Sequence, residues 1–167
     1  MRAYSNMRKP LTSGALYRLI YCSRNIIARV VPDASTPEGL EREIQAILAV
    51  ARERNKASNV TGALLFTALG FAQVLEGARE VVEPLFERIG ADPRHADVTV
   101  LSFTPTGRRS FPDWPMGFCG QPSPAATDPL AHLLADANFG GRRATTGSDV
   151  LRMLEHIVQR ENEWIAA

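Results

Sequence analysis

The period of the apolar positions changes several times along the chain, and each change marks an element. From Leu16 to Ser23 they alternate. Tyr17, Leu19, Tyr21 and Ser23 share one face of a strand, and Arg18, Ile20 and Cys22 share the other, because successive strand side chains point to opposite sides. Pro32 to Glu38 is a turn-rich loop in which Thr36 is placed to cap a helix and Pro37 to open it. Leu40, Ile44, Ile47, Leu48 and Ala51 form one stripe of a helix reaching Asn55. Val60–Thr67 and Phe71–Glu76 read as a hairpin that Gly77 ends. Val81, Val82, Leu85 and Ile89 predict a second helix over Ala78–Gly90, with Asp92 near the end of its stripe. Ala96–Thr104 is a further strand, and Pro115–Cys119 a short fifth.

Strand, helix, strand, strand, helix, strand is the order of an α+β fold with a ferredoxin-like βαββαβ sheet and both helices on one face. The other face, carrying Ile20, Cys22, Ala72 and Val74, is also apolar and needs a cover. Two helical segments follow the Pro-rich link at residues 121–124, over Asp128–Ala137 and Ser148–Trp164. The second has Val150, Leu151, Leu154, Ile157, Val158, Glu161 and Trp164 near helical spacing. These segments are expected to cap the open face or to serve as a dimer element. The chain thus divides into a tail (1–14), one domain (15–120), and a linker with a helical cap (121–167).

Three polar residues break the pattern. Gln73 lies between Phe71 and Leu75 on one strand face, Tyr21 is on an apolar face of the first strand, and Asn55 continues the stripe of the first helix. A buried amide without partners costs roughly 1–3 kcal/mol. Three such placements in a small domain point to a polar ligand built into the core.

Composition narrows the classes. The chain has 167 residues and a net charge of +1, which gives no reason to expect nucleic acid or an anionic membrane as a partner. No apolar run is long enough to span a bilayer, and Met1 to Gly14 lacks the apolar region of a signal peptide. Cys22 and Cys119 are far apart, so reduced thiols in a cytoplasmic protein are expected. His95, His132 and His156 are scattered, and no metal site is expected.

Five short motifs, in order, make the ligand specific. They are Leu19-Ile20-Tyr21-Cys22-Ser23; Asn55 with Val60-Thr61-Gly62-Ala63-Leu64; Gly70-Phe71-Ala72-Gln73-Val74-Leu75-Glu76-Gly77; Asp92-Pro93-Arg94-His95; and Phe111-Pro112-Asp113-Trp114-Pro115-Met116. Together they resemble the BLUF family, sensors of blue light using FAD, over residues 15–119. The resemblance implies FAD held between the two helices, with FMN or riboflavin as alternatives. It implies that Tyr21 bonds Gln73 and that Gln73 reaches the flavin N5 and O4 edge. It also implies that Asn55 holds the pyrimidine edge, that Asp92, Arg94 and His95 lie near the pyrimidine and ribityl side, and that Trp114 and Met116 flank Gln73. Ser23, Trp114 and Met116 are then expected to relay the signal. The implied photochemistry moves an electron from Tyr21 and a proton through Gln73. Recombination leaves rearranged hydrogen bonds, by rotation or tautomerisation of the amide.

The resulting expectation is a blue-light photoreceptor with no catalytic reaction of its own. It would act on an unknown downstream protein or through a change of homo-oligomeric state. Two alternatives compete. One is a small flavin-dependent reductase, although no Gly-rich dinucleotide loop is present. The other is a flavin-free ferredoxin-like interaction module.

Overall fold

The computed structural model describes residues 14–120 and 146–165, the side chains of 119 and 159–165 excepted. Strand β1 (Leu16–Asn25) leads through a short helix α1 (Ile27–Val30) and a 3-10 turn (Pro32–Ser35) to the long helix α2 (Pro37–Ala57). Then come β2 (Thr61–Phe66), β3 (Gly70–Ala78), α3 (Arg79–Gly90), β4 (His95–Pro105) and β5 (Gly117–Cys119). Helix α4 (Gly147–Ile165) lies beyond the segment that is not described. The expected helix over 128–137, the tail 1–13 and the linker 121–145 lie outside the described residues, as do the side chains of Glu161 and Trp164.

The sheet order is β4-β1-β3-β2-β5. The first four strands pair antiparallel, and β5 runs parallel to β2. That is the ferredoxin-like arrangement with one added edge strand. The register sets Leu19 opposite Leu75, Tyr21 opposite Gln73 and Ser23 opposite Phe71. Cross-strand partners share a face, so the polar pair Tyr21 and Gln73 sits among large apolar neighbours.

Several boundaries depart from the sequence expectation, each for a local reason. The loop before α2 contains α1 and the 3-10 turn. Asn25 starts that segment by accepting from the Ile27 N–H at 2.9 Å while its own amide donates to the Thr67 carbonyl at 3.2 Å. Thr36 does cap α2, its hydroxyl oxygen accepting from the Gly39 N–H at 3.1 Å. Strand β3 does not stop at Gly77. Gly77 and Ala78 still pair with Tyr17 and Leu16, because β1 is long enough to continue the ladder. Strand β5 begins at Gly117 and not at Pro115, which has no N–H to give to a ladder.

Two apolar layers enclose the sheet. Leu19, Tyr21, Phe71 and Leu75 pack with Ile44 and Leu48 of α2 and Val82 of α3. On the opposite face Ile20, Cys22, Ala72 and Val74 pack with Val150, Leu154 and Val158 of α4. Those three are spaced at four-residue intervals and form the buried line of the helix, while Leu151 and Ile157 flank it half-buried. Helix α4 thus caps its own sheet. Gly62 permits a close approach at the centre, since a Cβ there would lie 1.9 Å from the Val74 carbonyl oxygen. Its N–H reaches the Trp114 carbonyl at 2.9 Å.

Leu154 is fully buried under the sheet. Leu154→Ala should therefore lower unfolding stability by about 2–5 kcal/mol, the usual cost of a core leucine truncation. Urea unfolding measures this, and a loss within the roughly 0.5 kcal/mol of a surface change would detach α4 from the core.

Candidate functional site

Tyr21 and Gln73 meet at the centre of the sheet, 1% and 5% exposed. The Tyr21 hydroxyl donates to Gln73 Oε1. The other end of the amide, Nε2, donates to the Met116 sulfur at 3.3 Å. The Tyr21 ring packs against Phe86 with centroids 5.3 Å apart and lies edge-on to His95 at 6.4 Å. Burial pushes the Tyr21 phenol far above its ordinary pKa, and the negative charge of Asp92 pushes the same way. The phenol therefore keeps its proton in the ground state.

A cavity of about 290 Å³ opens beside this pair, between α2, α3 and the sheet. Ile47, Val50 and Ala51 of α2, Leu85 and Ile89 of α3, and Leu64 and Leu75 of the sheet make its apolar walls. The six residues expected to touch the cofactor line it, Tyr21, Asn55, Gln73, Asp92, Arg94 and His95, and so does Met116. Apolar walls with a few convergent polar groups form the usual design of a cofactor site.

Each polar group is held by a partner. Asn55 is 2% exposed, and its Nδ2 donates to the Pro115 carbonyl at 2.8 Å. Arg94 donates to the Asp92 carboxylate, at 2.8 Å for Nε to Oδ1, and to Glu43 of α2 at 2.7 Å. Burial acts to raise the Asp92 carboxyl, but the hydrogen bonds and charge of Arg94 outweigh it and hold the group below the usual carboxylate range. The His95 ring lies 4.3 Å from Phe71, centroid to centroid, and its Nδ1 is 2.7 Å from the Ser23 hydroxyl. Burial lowers the His95 pKa to about 4, the charge of Asp92 opposing the shift and that of Arg94 adding to it.

Ser23 is fully buried and meets the site through His95. Of the two residues expected to flank Gln73, Met116 bonds its amide, whereas Trp114 packs with the cap-side cluster. The backbone bends at Pro115 and Met116. The two-residue period of a strand, which would put Trp114 and Met116 on one face, does not apply there.

Other residues in and around the site were not singled out. Phe86 was findable, since it follows Val82 by four residues on the same helix face. Val50, Arg54 and Arg88 face the cavity from the helices although sequence spacing suggests solvent. Glu43 and Arg52 act across the chain. Arg52 donates to the Met116 carbonyl at 3.1 Å, a contact between residues far apart in sequence.

The family model described as sensors of blue-light using FAD, BLUF, matches residues 16–117. The chain belongs to the BLUF family. Among proteins of known activity it is 33% identical over 115 residues to photoactivated adenylate cyclase subunit beta of Euglena gracilis, covering 67% of this chain and 13% of that protein. The chain thus spans about an eighth of that relative. Among solved structures it is similar to the dark state of BlrB, a BLUF protein, with 28% identity and a TM-score of 0.63, covering 89% of this chain and 98% of that one. It is also similar to the photo-activated state of BlsA, with 26% identity and a TM-score of 0.64, covering 86% and 94%. BlrB and BlsA are thus matched over nearly their whole lengths. Among the described residues no helix is long and apolar enough to cross a membrane.

The His95 shift sets a pH dependence. The unfolded imidazole titrates near 6.5 and the folded one near 4. Between these values the unfolded chain binds the extra proton, so falling pH favours unfolding. Stability should be flat above about pH 7 and fall by about 2–3 kcal/mol towards pH 4.5 through this group. Urea unfolding of His95→Gln should show a correspondingly shallower loss, and an unchanged slope would contradict the assignment.

Proposed function

We propose that this chain is a blue-light receptor that holds oxidised FAD in the cavity between α2 and α3 and signals without a catalytic reaction of its own. The carrying observation is the hydrogen-bond chain from the Tyr21 hydroxyl through the Gln73 amide to Met116, placed at the edge of an apolar-walled cavity. The residues fit a ring that is apolar in body and polar along one edge. FMN or riboflavin would present the same ring. When bound, the flavin supplies absorption of blue light and accepts an electron.

The remaining steps belong to the protein. Tyr21 gives up an electron, and its hydroxyl proton leaves along the bond to Gln73 Oε1. Both return on recombination, so there is no net oxidation. Gln73 is the group that changes, by rotation or tautomerisation, because an amide carries both donor and acceptor faces. A thioether accepts a hydrogen bond but cannot donate one. An amide turned end for end therefore loses its bond to Met116. Asn55 spends its Nδ2 on Pro115 and keeps its carbonyl oxygen for a ring N–H. Asp92 and Arg94 form the polar end of the site, and His95, neutral at working pH, supports it together with Ser23.

Met116, Trp114 and Ser23 are the proposed relay. The output is an unidentified downstream protein or a change of homo-oligomer in the cytoplasm, with neither nucleic acid nor membrane as partner. In this reading residues 15–120 are the sensor, 1–14 a tail, and 121–167 the linker and cap that carry the output.

Purified protein should carry flavin and show a reversible red shift of its absorption under blue light. Protein that binds no flavin, or whose flavin does not respond, would sink the proposal. Tyr21→Phe and Gln73→Leu should each retain flavin and lose the shift. The first removes the hydroxyl that donates to the amide, and the second presents nothing to the ring edge. A normal photocycle in either variant would remove that residue from the switch.

Asn55→Ala should act differently, weakening flavin retention more than the light response. One lost buried hydrogen-bond partner costs about 1–3 kcal/mol, or roughly 5- to 150-fold in affinity. Flavin release rates measure it, and an unchanged rate would place Asn55 outside the site.

A further inference from the structure

Glu76 lies three residues beyond Gln73 on β3 and is therefore on the opposite face of the sheet. It is a fully buried carboxylate. Oε1 accepts from Arg18 Nε at 2.8 Å and from the Ser110 N–H at 2.8 Å. Oε2 accepts from the Ser110 N–H at 3.0 Å, the Phe111 N–H at 3.1 Å and the Thr61 hydroxyl at 3.4 Å. Arg18 also reaches the Arg108 carbonyl and the Ser110 hydroxyl. Arg109 returns to the strand, donating to the Glu76 carbonyl at 2.7 Å, to Thr61 at 2.8 Å and to the Asn59 carbonyl at 2.8 Å.

This network lies outside the cavity and adjoins the cap-side cluster through Phe111. A carboxylate is costly to bury and is kept only with full hydrogen bonding. What it holds is the start of the segment that ends at Met116. From Phe111 the chain passes Trp114, whose N–H meets the Phe111 carbonyl at 3.3 Å, and then Pro115 and Met116, whose carbonyls are held by Asn55 and Arg52. One strand thus carries two handles on this segment, Gln73 through the Met116 side chain on one face and Glu76 through backbone N–H groups on the other.

Resting on the receptor reading above, we propose that Glu76 is a positioning residue for the switch, fixing the 108–111 loop so that Met116 stays in register with the Gln73 amide. In Glu76→Gln one carboxylate oxygen becomes an NH2 group and meets backbone N–H donors, so half the anchor is lost at nearly constant size. The variant should keep flavin and still form the red-shifted state. Its dark recovery should change at least about tenfold, the effect of one charge-assisted hydrogen bond. Hydrogen exchange over 111–119 should rise in the dark, and the light-dark difference there should shrink. Val82→Ala, a core truncation outside the cavity lining, controls for lost stability and should leave recovery within about twofold.

Two failures are distinguishable. Wild-type protein without a light-induced shift overturns the receptor reading and this proposal with it. Wild-type protein that photocycles, with Glu76→Gln recovering and exchanging like it, overturns the positioning role alone, as does a Val82→Ala recovery changed as much as that of Glu76→Gln. If Glu76→Gln does not fold, Arg109→Gln gives the decision. It loosens the same loop from its exposed side, should shift recovery in the same measurement, and counts against the proposal if recovery is unchanged.

Discussion

A primary amide buried in a sheet must have both its ends met, and the site is arranged around that requirement. Gln73 has its oxygen on the Tyr21 hydroxyl and its nitrogen on the Met116 sulfur. Leaving either end bare would cost roughly 1–3 kcal/mol. The partners come from β1 and from the segment before β5, so satisfying one side chain ties together three parts of the chain. The two bonds are unequal. An amide oxygen is a good acceptor for the Tyr21 hydroxyl, whereas a thioether is a weak acceptor for the amide N–H. In the proposed switch, a group held firmly at one end and loosely at the other has a soft direction of change, and that direction points at Met116.

The cavity beside the amide gains rigidity from pairs that surround it. Arg94 joins the turn after α3 to Glu43 of α2, so the two helices that form the walls are tied by charge at the sheet's end. Partly exposed ion pairs contribute little stability singly. Their effect here is positional, holding the Asp92 carboxylate ionised and aimed at the polar end of the cavity. The Ser23 hydroxyl likewise fixes the orientation of the His95 ring.

Much of this was legible in the sequence because it follows from short periods. Alternation placed Tyr21 and Gln73 inward, the helix stripe placed Asn55, and the apolar reverse face of β1 and β3 required a cover, which Val150, Leu154 and Val158 of α4 provide. The loss of legibility has identifiable causes. Pro115 stops the ladder, so the backbone bends and Trp114 and Met116 part to opposite sides of the sheet, where regular alternation would have kept them together. Gly77 suggested a strand end, but strand ends are set by the partner, and β1 still had residues to pair. Glu76 showed no local signal. A glutamate on an apolar strand face reads as an anomaly until Arg18, Ser110 and Phe111 converge on it, and those contacts bridge 34 to 58 residues.

The segment 108–119 is where these constraints meet. Its start is held by a buried carboxylate and by the burial of Phe111, and its end by the pairing of Gly117–Cys119 with β2. Between these anchors Trp114 touches the cap-side cluster and Met116 touches the amide. Anchored at both ends, such a segment cannot slide. It can respond to a changed amide only between residues 112 and 116, where two prolines restrict the backbone. Packed contacts favour discrete arrangements over gradual ones. In the proposed receptor, a change of one hydrogen bond at Met116 would therefore reach Trp114, which packs with the cluster that α4 covers.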